Sequence, residues 1–191
     1  MLAHAIDESH PPALDEPEFI ARLLEFFACH VATGLNRFGE MLGRKLTQQD
    51  VELWTWSLAS SGFAVPAPQY LATLQWLQLW SRRVAGWWFE GFDLLLTPTI
   101  AEPPVPLGTL VAAPENPSKG LHRMLDLMQF TPPYNVTGQP AISLPLYWNS
   151  AGLPIGSQLV AAYGLEDLLL QVAAQLERAR PWRDRGPPVS A

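Results

Sequence analysis

The sequence has 191 residues, of which 48% are hydrophobic and 16% are charged. A chain of this size and composition can bury a sizeable core, so a wholly disordered protein is excluded. The 12 basic and 18 acidic residues give a net charge of -6, which argues against a surface that neutralises nucleic-acid phosphates.

No segment is expected to act as a secretory signal or to span a membrane. The first residues are acidic, and the most apolar stretch, residues 84–100, is interrupted by Glu90 and Asp93. Cys29 is the single cysteine, which excludes an internal disulfide and a cysteine-based zinc cluster. We expect a cytoplasmic protein with a flexible N-terminus at 1–17, one partial domain at 18–183 and a flexible tail at 184–191.

The first half of the chain is predicted to be helical, because apolar residues recur at steps of three and four. Asp15 is the expected cap of the first helix, and Thr47 with Asp50 forms a variant of the capping box that opens the second. Gly91 allows the third helix to stop. The helices are predicted over 18–34, 47–62 and 68–89.

The second half is predicted to contain strands and a closing helix. The run DLLLTPT at 93–99 is typical of a short buried strand that ends at a proline. Alternating apolar residues at 140–148 and 155–161 indicate a β-hairpin. A proline-rich loop is predicted at 103–118, a short helix at 122–128, a shaped turn within NVTGQP at 135–140, and a final helix at 166–179.

Three segments resemble the C-terminal part of the amidase signature family in their order and spacing. They are FDLLLTPTIAEPPVPLG at 92–108, FTPPYNVTGQPAISLPL at 130–146 and GLPIGSQLVA at 152–161. The resemblance is weaker over 47–89 and is not used before residue 47. It implies an α/β protein that forms the C-terminal part of the α/β/α fold of that family, with a helical N-terminal half, then mixed or antiparallel strands and a closing helix.

The resemblance also implies hydrolysis of carboxamides by a Ser, cis-Ser, Lys triad, with a glycine-rich loop that holds the oxyanion. The candidates in this chain do not fit those roles. Ser60 and Ser61 lie in LASSGF, where only one glycine follows them, and are expected at a helix end. Lys45 and Lys119 lack the sequence context of the catalytic lysine. We therefore assign no catalytic residue and expect the chain to be inactive alone while supplying the substrate-pocket half of a longer enzyme.

Two short stretches are the candidate substrate-binding residues, because the resemblance implies that both line the pocket. Their polar side chains offer donors and acceptors, and Gly138 permits a positive φ. The candidates are Thr97, Pro98, Thr99, Asn135, Thr137, Gly138 and Gln139. No cofactor or metal is expected, since His4, His10 and His122 lack partners at metal-ligand spacing. The expected partners are a small amide substrate and either a catalytic partner chain or a second copy.

Two alternatives remain open from the sequence. The chain could be a non-catalytic accessory protein derived from an amidase, which pairs with a catalytic chain or with itself. It could also be a small hydrolase that uses Cys29. His30 follows Cys29 directly, but adjacent helical residues point about 100° apart, which favours a packing role for the thiol.

Overall fold

The computed structural model describes residues 4–113 and 115–186. Residues 1–3 of the predicted flexible N-terminus and residues 187–191 of the predicted flexible tail lie outside the described residues. The helices are α1 Glu18–Met41, α2 Leu53–Phe63, α3 Ala67–Gly86, α4 Lys119–Leu127, α5 Pro132–Thr137 and α6 Glu166–Ala179. The strands are β1 Leu94–Pro98, β2 Ala141–Trp148 and β3 Pro154–Ala161. The α/β class predicted from the sequence is confirmed.

The start and the end of α1 differ from the prediction. Asp15 was predicted to cap this helix, but it lies in a separate 3-10 turn at Pro12–Asp15, and Pro17 occupies the N-cap position without a side-chain hydrogen bond. At the other end the helix continues past Gly34 to Met41, because Leu35 is buried and extends the apolar stripe.

The capping box at Thr47 is confirmed, but the element that it opens is shorter than predicted. Thr47 accepts a hydrogen bond from the backbone of Gln49, and the Asp50 carboxylate accepts one from the Thr47 backbone at 2.8 Å. These bonds close a 3-10 turn at Gln48–Asp50. Val51 is extended and interrupts the chain before α2 begins at Leu53, so one predicted helix becomes a turn and a helix.

The chain folds as two compact units, and we call residues 12–83 and 105–126 the helical unit. Here α1 and α2 approach closely. A Cβ added at Gly62 of α2 would lie only 2.0 Å from the carbonyl oxygen of Ala28 on α1. A core cluster of Ala32, Leu35 and Ala59 fills this contact. Glycine at position 62 therefore sets the distance between the two helices.

Trp80 on α3 anchors a second part of the helical unit. Its side chain has no exposed surface, and its ring stacks on Phe19 with the ring centroids 4.1 Å apart. The indole Nε1 donates to the carbonyl oxygen of Ala13 at 2.7 Å, so the one polar group of the side chain is paired. Arg83 makes two bonds with the Glu16 carboxylate, at 2.7 and 2.6 Å, beside this contact.

The remaining described residues, 4–11, 84–104 and 127–186, form what we call the sheet unit. Its sheet is antiparallel with the strand order β1-β3-β2, which confirms the predicted hairpin of β2 and β3. Leu94 of β1 lies opposite Ala161 of β3, and Ile142 of β2 lies opposite Leu159. The helix α6 has the bounds predicted from the sequence.

The two faces of this sheet have different contents. On one face α6 covers an apolar cluster that contains Leu144, Leu159, Ala161, Leu169 and Val172. On the other face Leu95 and Val160 pack with Trp87 and Tyr134. Because side chains alternate along a strand, Thr97 and Gln158 follow Leu95 and Val160 on this second face. Thr97, one of the residues predicted to bind substrate, therefore lies on the face opposite the one that packs on α6.

Candidate functional site

Gln158 connects one stretch that was predicted to bind substrate with the chain that precedes the other stretch. Its side chain is only 4% exposed, and its Nε2 donates to Thr97 Oγ1 at 3.1 Å and to the carbonyl oxygen of Phe130 at 2.8 Å. Phe130 stands just before the segment that leads into α5. The buried carboxamide thus ties the end of β1 to the start of the segment that carries Asn135 to Gln139.

A hydroxyl pair lies one step further along the same sheet face. Thr99 Oγ1 and Ser143 Oγ are 2.6 Å apart, and the Thr99 backbone N–H donates to the carbonyl oxygen of Gly156 at 3.0 Å. A Cβ added at Gly156 would lie 2.5 Å from Thr99 Oγ1 and 2.7 Å from Ser143 Oγ. Only glycine at this position leaves room for the two hydroxyl groups.

The segment around Asn135 is a short helix, so the predicted turn was wrong for Asn135 to Thr137, whereas the positive φ predicted for Gly138 is confirmed. Residues Pro132–Thr137 form α5, with proline in the first turn and Gly138 at the C-cap with φ of 72°. The Gly138 N–H donates to the carbonyl oxygen of Tyr134 at 2.9 Å. Proline at a helix start and glycine just past a helix end are typical helix signals, which explains this geometry. The polar side chain of Asn135 is exposed and that of Thr137 is half-buried.

Gln139 differs from the other candidate residues because its carboxamide is closed to solvent. The residue is 5% exposed, and neither Oε1 nor Nε2 has a hydrogen-bond partner within the described part of the chain. Burying an unpaired polar group costs about 1–3 kcal/mol. Thr97, Thr99 and Pro98, by contrast, lie at the half-buried or exposed end of β1.

Tyr134 packs in the apolar cluster with Trp87, Leu95 and Val160, on the sheet face that also carries Thr97. Burial raises the pKa of its hydroxyl to about 12, so the side chain stays neutral at physiological pH. Neither Tyr134 nor Gln158 was predicted from the sequence. The signal for Gln158 was present, since in IGSQLVA a polar side chain alternates with glycine and valine on what reads as a buried face.

The possible nucleophiles and bases lie elsewhere, in the helical unit. Ser60 and Ser61 are in the last turn of α2, where their hydroxyl groups donate to the carbonyl oxygens of Trp56 and Ser57 at 2.8 and 3.2 Å. The helix C-cap is Ala64, so the two serines lie near the helix end, as expected from the sequence. Lys45 is exposed, and Lys119 is the exposed first residue of α4.

Cys29 faces the backbone of α2. Its Sγ is 3.9 Å from the carbonyl oxygen of Gly62, and burial, followed by the nearby charge of Glu25, raises the pKa of the thiol. A raised pKa lowers the fraction of reactive thiolate. Across residues 4–113 and 115–186, no group of three or more His, Cys, Asp or Glu side chains could hold a metal ion. None of the helices described there is long and apolar enough to cross a membrane.

Comparison with known proteins identifies relatives over almost the whole chain. The amidase family profile matches residues 4–170. The chain is 41% identical over 191 residues to the 6-aminohexanoate-cyclic-dimer hydrolase of Pseudomonas sp. strain NK87, a match that covers 97% of this chain and 39% of the relative. The corresponding protein of Paenarthrobacter ureafaciens is 40% identical with the same coverage. The chain therefore spans about two fifths of the length of these relatives.

Solved structures give the same result. The structure of 6-aminohexanoate cyclic dimer hydrolase complexed with substrate superposes with a TM-score of 0.90 at 39% identity, over 97% of this chain and 39% of that one. A bacterial aryl acylamidase of the amidase signature family superposes with a TM-score of 0.67 at 19% identity, covering 92% of this chain and 38% of that one, which shows the shared fold.

Proposed function

The chain belongs to the amidase family, and from that premise we propose that it supplies the substrate-binding part of a carboxamide hydrolase whose catalytic residues lie outside these 191 residues. The observation that carries this proposal is the combination of high similarity and partial coverage. The chain matches the 6-aminohexanoate-cyclic-dimer hydrolase over 97% of its own length but over only 39% of the relative. The reaction proposed for the complete assembly is hydrolysis of a carboxamide C–N bond.

The proposed substrate contacts come from the end of β1 and from the segment of α5. Thr97, Pro98 and Thr99 contribute the first group, and Asn135, Thr137, Gly138 and Gln139 contribute the second. The bridge from Gln158 to Thr97 and Phe130 supports this grouping, because it ties the end of β1 to the residue that precedes the segment of α5. The carboxamide of Gln139 is closed to solvent, so its contact with a substrate requires a local rearrangement.

The chemistry of the helical unit supports the proposal that this chain does not catalyse alone. Ser60 and Ser61 have their hydroxyl groups bonded to helix carbonyls, and only one glycine follows them in the sequence, unlike the glycine-rich loop that binds an oxyanion. The raised pKa of Cys29 argues against the alternative of a cysteine hydrolase. We further propose the cytoplasm as the compartment, where a lone thiol stays reduced.

The test compares the purified chain with a reconstituted assembly. The chain alone is expected to hydrolyse neither 6-aminohexanoate cyclic dimer nor simple amides and esters. Mixed with the portion of the Pseudomonas hydrolase that lies outside the match, it is expected to restore release of the amine product. Turnover by the chain alone that persists in a Ser60→Ala, Ser61→Ala, Lys45→Ala and Lys119→Ala variant would point to a different site and overturn the proposal.

A non-catalytic accessory role is the second candidate, and the unpaired outer strands of the sheet favour it. This role predicts that the chain binds the complementary portion without restoring hydrolysis. Measuring complex formation and product release on the same samples separates the two candidates. A complex with turnover supports the hydrolase, whereas a complex without turnover supports the accessory protein.

A further inference from the structure

The helical unit contains a cleft of about 360 Å³ whose walls come from α1, α2 and the start of α4. A smaller cavity of about 40 Å³ adjoins it, since Trp54 and Leu121 line both. We call the two together the Trp54 cleft. None of the candidate substrate-binding residues lines it, so the proposed function leaves this space without a role.

Glu25 is the one charged side chain among the described residues that line the Trp54 cleft. Its carboxylate accepts hydrogen bonds from the Thr73 hydroxyl and from the Gln69 amide. Thr73 has no exposed surface and also accepts a bond from Arg22 at 3.0 Å, which fixes its hydroxyl. Both donors to Glu25 are neutral, so they position the carboxylate without cancelling its charge. A carboxylate has about four acceptor sites, and two donors leave some of them open.

Hydroxyl groups add further acceptors to the wall that contains Glu25. Ser61 donates its hydroxyl hydrogen to the carbonyl oxygen of Ser57 at 3.2 Å, and Ser118 donates to Asn116 Oδ1 at 3.1 Å. Both serines line the cleft, and a hydroxyl whose hydrogen is used in this way still has lone pairs to offer. The polar part of the cleft therefore suits a cation that carries several N–H donors.

The rest of the Trp54 cleft is mainly apolar. The shared wall consists of the half-buried side chains of Trp54 and Leu121. Beyond it, Leu110 and Met124 line the smaller cavity, which admits the end of a narrow chain better than a ring. Methionine adapts its shape readily to an apolar group. The cleft thus combines one anionic group with a wall that favours hydrocarbon.

We propose that the Trp54 cleft binds a primary alkylammonium ion, with the ammonium group at Glu25 and the hydrocarbon chain along Trp54 and Leu121. Charge complementarity selects this occupant. An alkyl carboxylate would place a like charge beside Glu25, and a neutral chain would leave the carboxylate without a cation. The inference is independent of the proposed function, because the cleft shares no residue with the candidate substrate-binding set.

The experiment titrates the 191-residue chain with n-hexylammonium chloride at pH 7 and measures binding by calorimetry. Three further probes separate the parts of the site: n-butylammonium shortens the chain, hexanoate reverses the charge and 1-hexanol removes it. Butylammonium is expected to bind about tenfold more weakly than hexylammonium, because two buried methylene groups are lost. Hexanoate and hexanol are each expected to bind at least about tenfold more weakly, because the charged hydrogen bond is absent.

Two variants test the residues. Glu25→Gln is expected to weaken hexylammonium binding by at least about tenfold. Leu121→Lys leaves Glu25 and its bonds in place but brings an ammonium group into the cleft, and is expected to abolish binding. The matched control is Glu40→Gln, which changes an exposed acid of α1 that does not line the cleft, and binding should be unchanged. Circular dichroism and thermal melting establish that each variant is folded, and if Glu25→Gln does not fold, Leu121→Lys decides.

Three results would overturn the inference. The first is that the folded, unchanged chain does not bind hexylammonium. The second is that hexanoate or hexanol binds as well as hexylammonium. The third is that a folded Glu25→Gln or Leu121→Lys variant binds hexylammonium undiminished. Each of these leaves the proposed function intact, because the reconstitution experiment measures product release and not amine binding.

Discussion

The helical unit and the sheet unit differ in how completely their buried polar groups are paired. In the helical unit the fully buried Trp80 donates to Ala13, and the buried hydroxyl of Thr73 bonds with Arg22 and Glu25. In the sheet unit Trp88 Nε1 and both polar atoms of Gln139 are buried without a partner in the described residues. Two strand edges are also unpaired there. The helical unit therefore pairs the buried polar groups of its interior, whereas the sheet unit leaves some of its buried polar groups and strand edges unpaired among the described residues.

The largest effect is expected from removing the central side chain of the helical unit. Trp80→Ala should lower the free energy of unfolding by about 3–5 kcal/mol, because a large enclosed ring and its hydrogen bond are lost. Urea denaturation measures the change. The control Leu79→Ala, on the same helix but 54% exposed, should change stability little. Equal effects of the two substitutions would contradict the view that this unit has a well-packed interior.

A smaller effect is expected from filling the space beneath the hydroxyl pair of the sheet unit. Gly156→Ala should lower stability by about 1–3 kcal/mol, since its Cβ would meet Thr99 Oγ1 at 2.5 Å. Ser143→Ala in the same chain should recover part of the loss. Gly86→Ala, where no atom lies within 4 Å of the added Cβ, provides the control and should leave stability unchanged or slightly raised.

Two glutamines of the sheet unit are expected to respond in opposite directions to the same substitution. Gln158→Leu should destabilise the chain by about 1–3 kcal/mol, because it leaves the carbonyl oxygen of Phe130 without its donor. Gln139→Leu should stabilise the isolated chain by a similar amount, because it removes an unpaired buried carboxamide. Thermal unfolding of both variants gives the sign. Destabilisation by Gln139→Leu would mean that the carboxamide of Gln139 already has hydrogen-bond partners.

The smallest effect concerns acid pH and the helical unit. Hydrogen bonds from Arg83 lower the pKa of Glu16, and hydrogen bonds from Arg44, then from Thr47, lower the pKa of Asp50. A lowered folded-state pKa contributes stability above the unfolded value, near 4, and this contribution is lost as pH falls through the folded value. Glu16→Gln combined with Asp50→Asn should reduce the loss in urea midpoint between pH 7 and pH 3. An unchanged loss would assign the acid sensitivity to other groups.

The sequence predicts elements well where local signals agree. The bounds of α6 were predicted because its start carries Glu166 and Asp167 and Pro181 stands shortly after its end. The segment of α5 was misread because Pro132 and Gly138 mark turns as well as helix ends, and six residues are too few to show helical periodicity. Asp15 was assigned as a cap from residue type alone, although Pro17 follows it before α1 begins.

Only part of the candidate site could be predicted from the sequence. The reason differs from the one that applies to the helices. Thr97 and Thr99 were proposed because the resemblance implies that the end of their strand lines the pocket, and their contact with substrate stays a prediction. The role of Gln158 depends on the pairing of β1 with β3, which joins residues 61 positions apart. No local pattern encodes that register. The same holds for Gly156, whose requirement for a hydrogen side chain becomes visible only when Thr99 and Ser143 are placed beside it.

The bond from Trp80 to Ala13 has a practical consequence for trimming the chain. A truncation that begins at Glu18 would delete the acceptor of a completely enclosed indole N–H and also the Glu16 partner of Arg83. In such a shortened protein the Trp80 indole N–H beside Phe19 would bond to water in a gap or have no acceptor. The helix α3 would then be held less tightly, and trypsin or a similar protease would cleave it more readily. The residues that look most dispensable by composition are therefore the ones that should be retained when boundaries for expression are chosen.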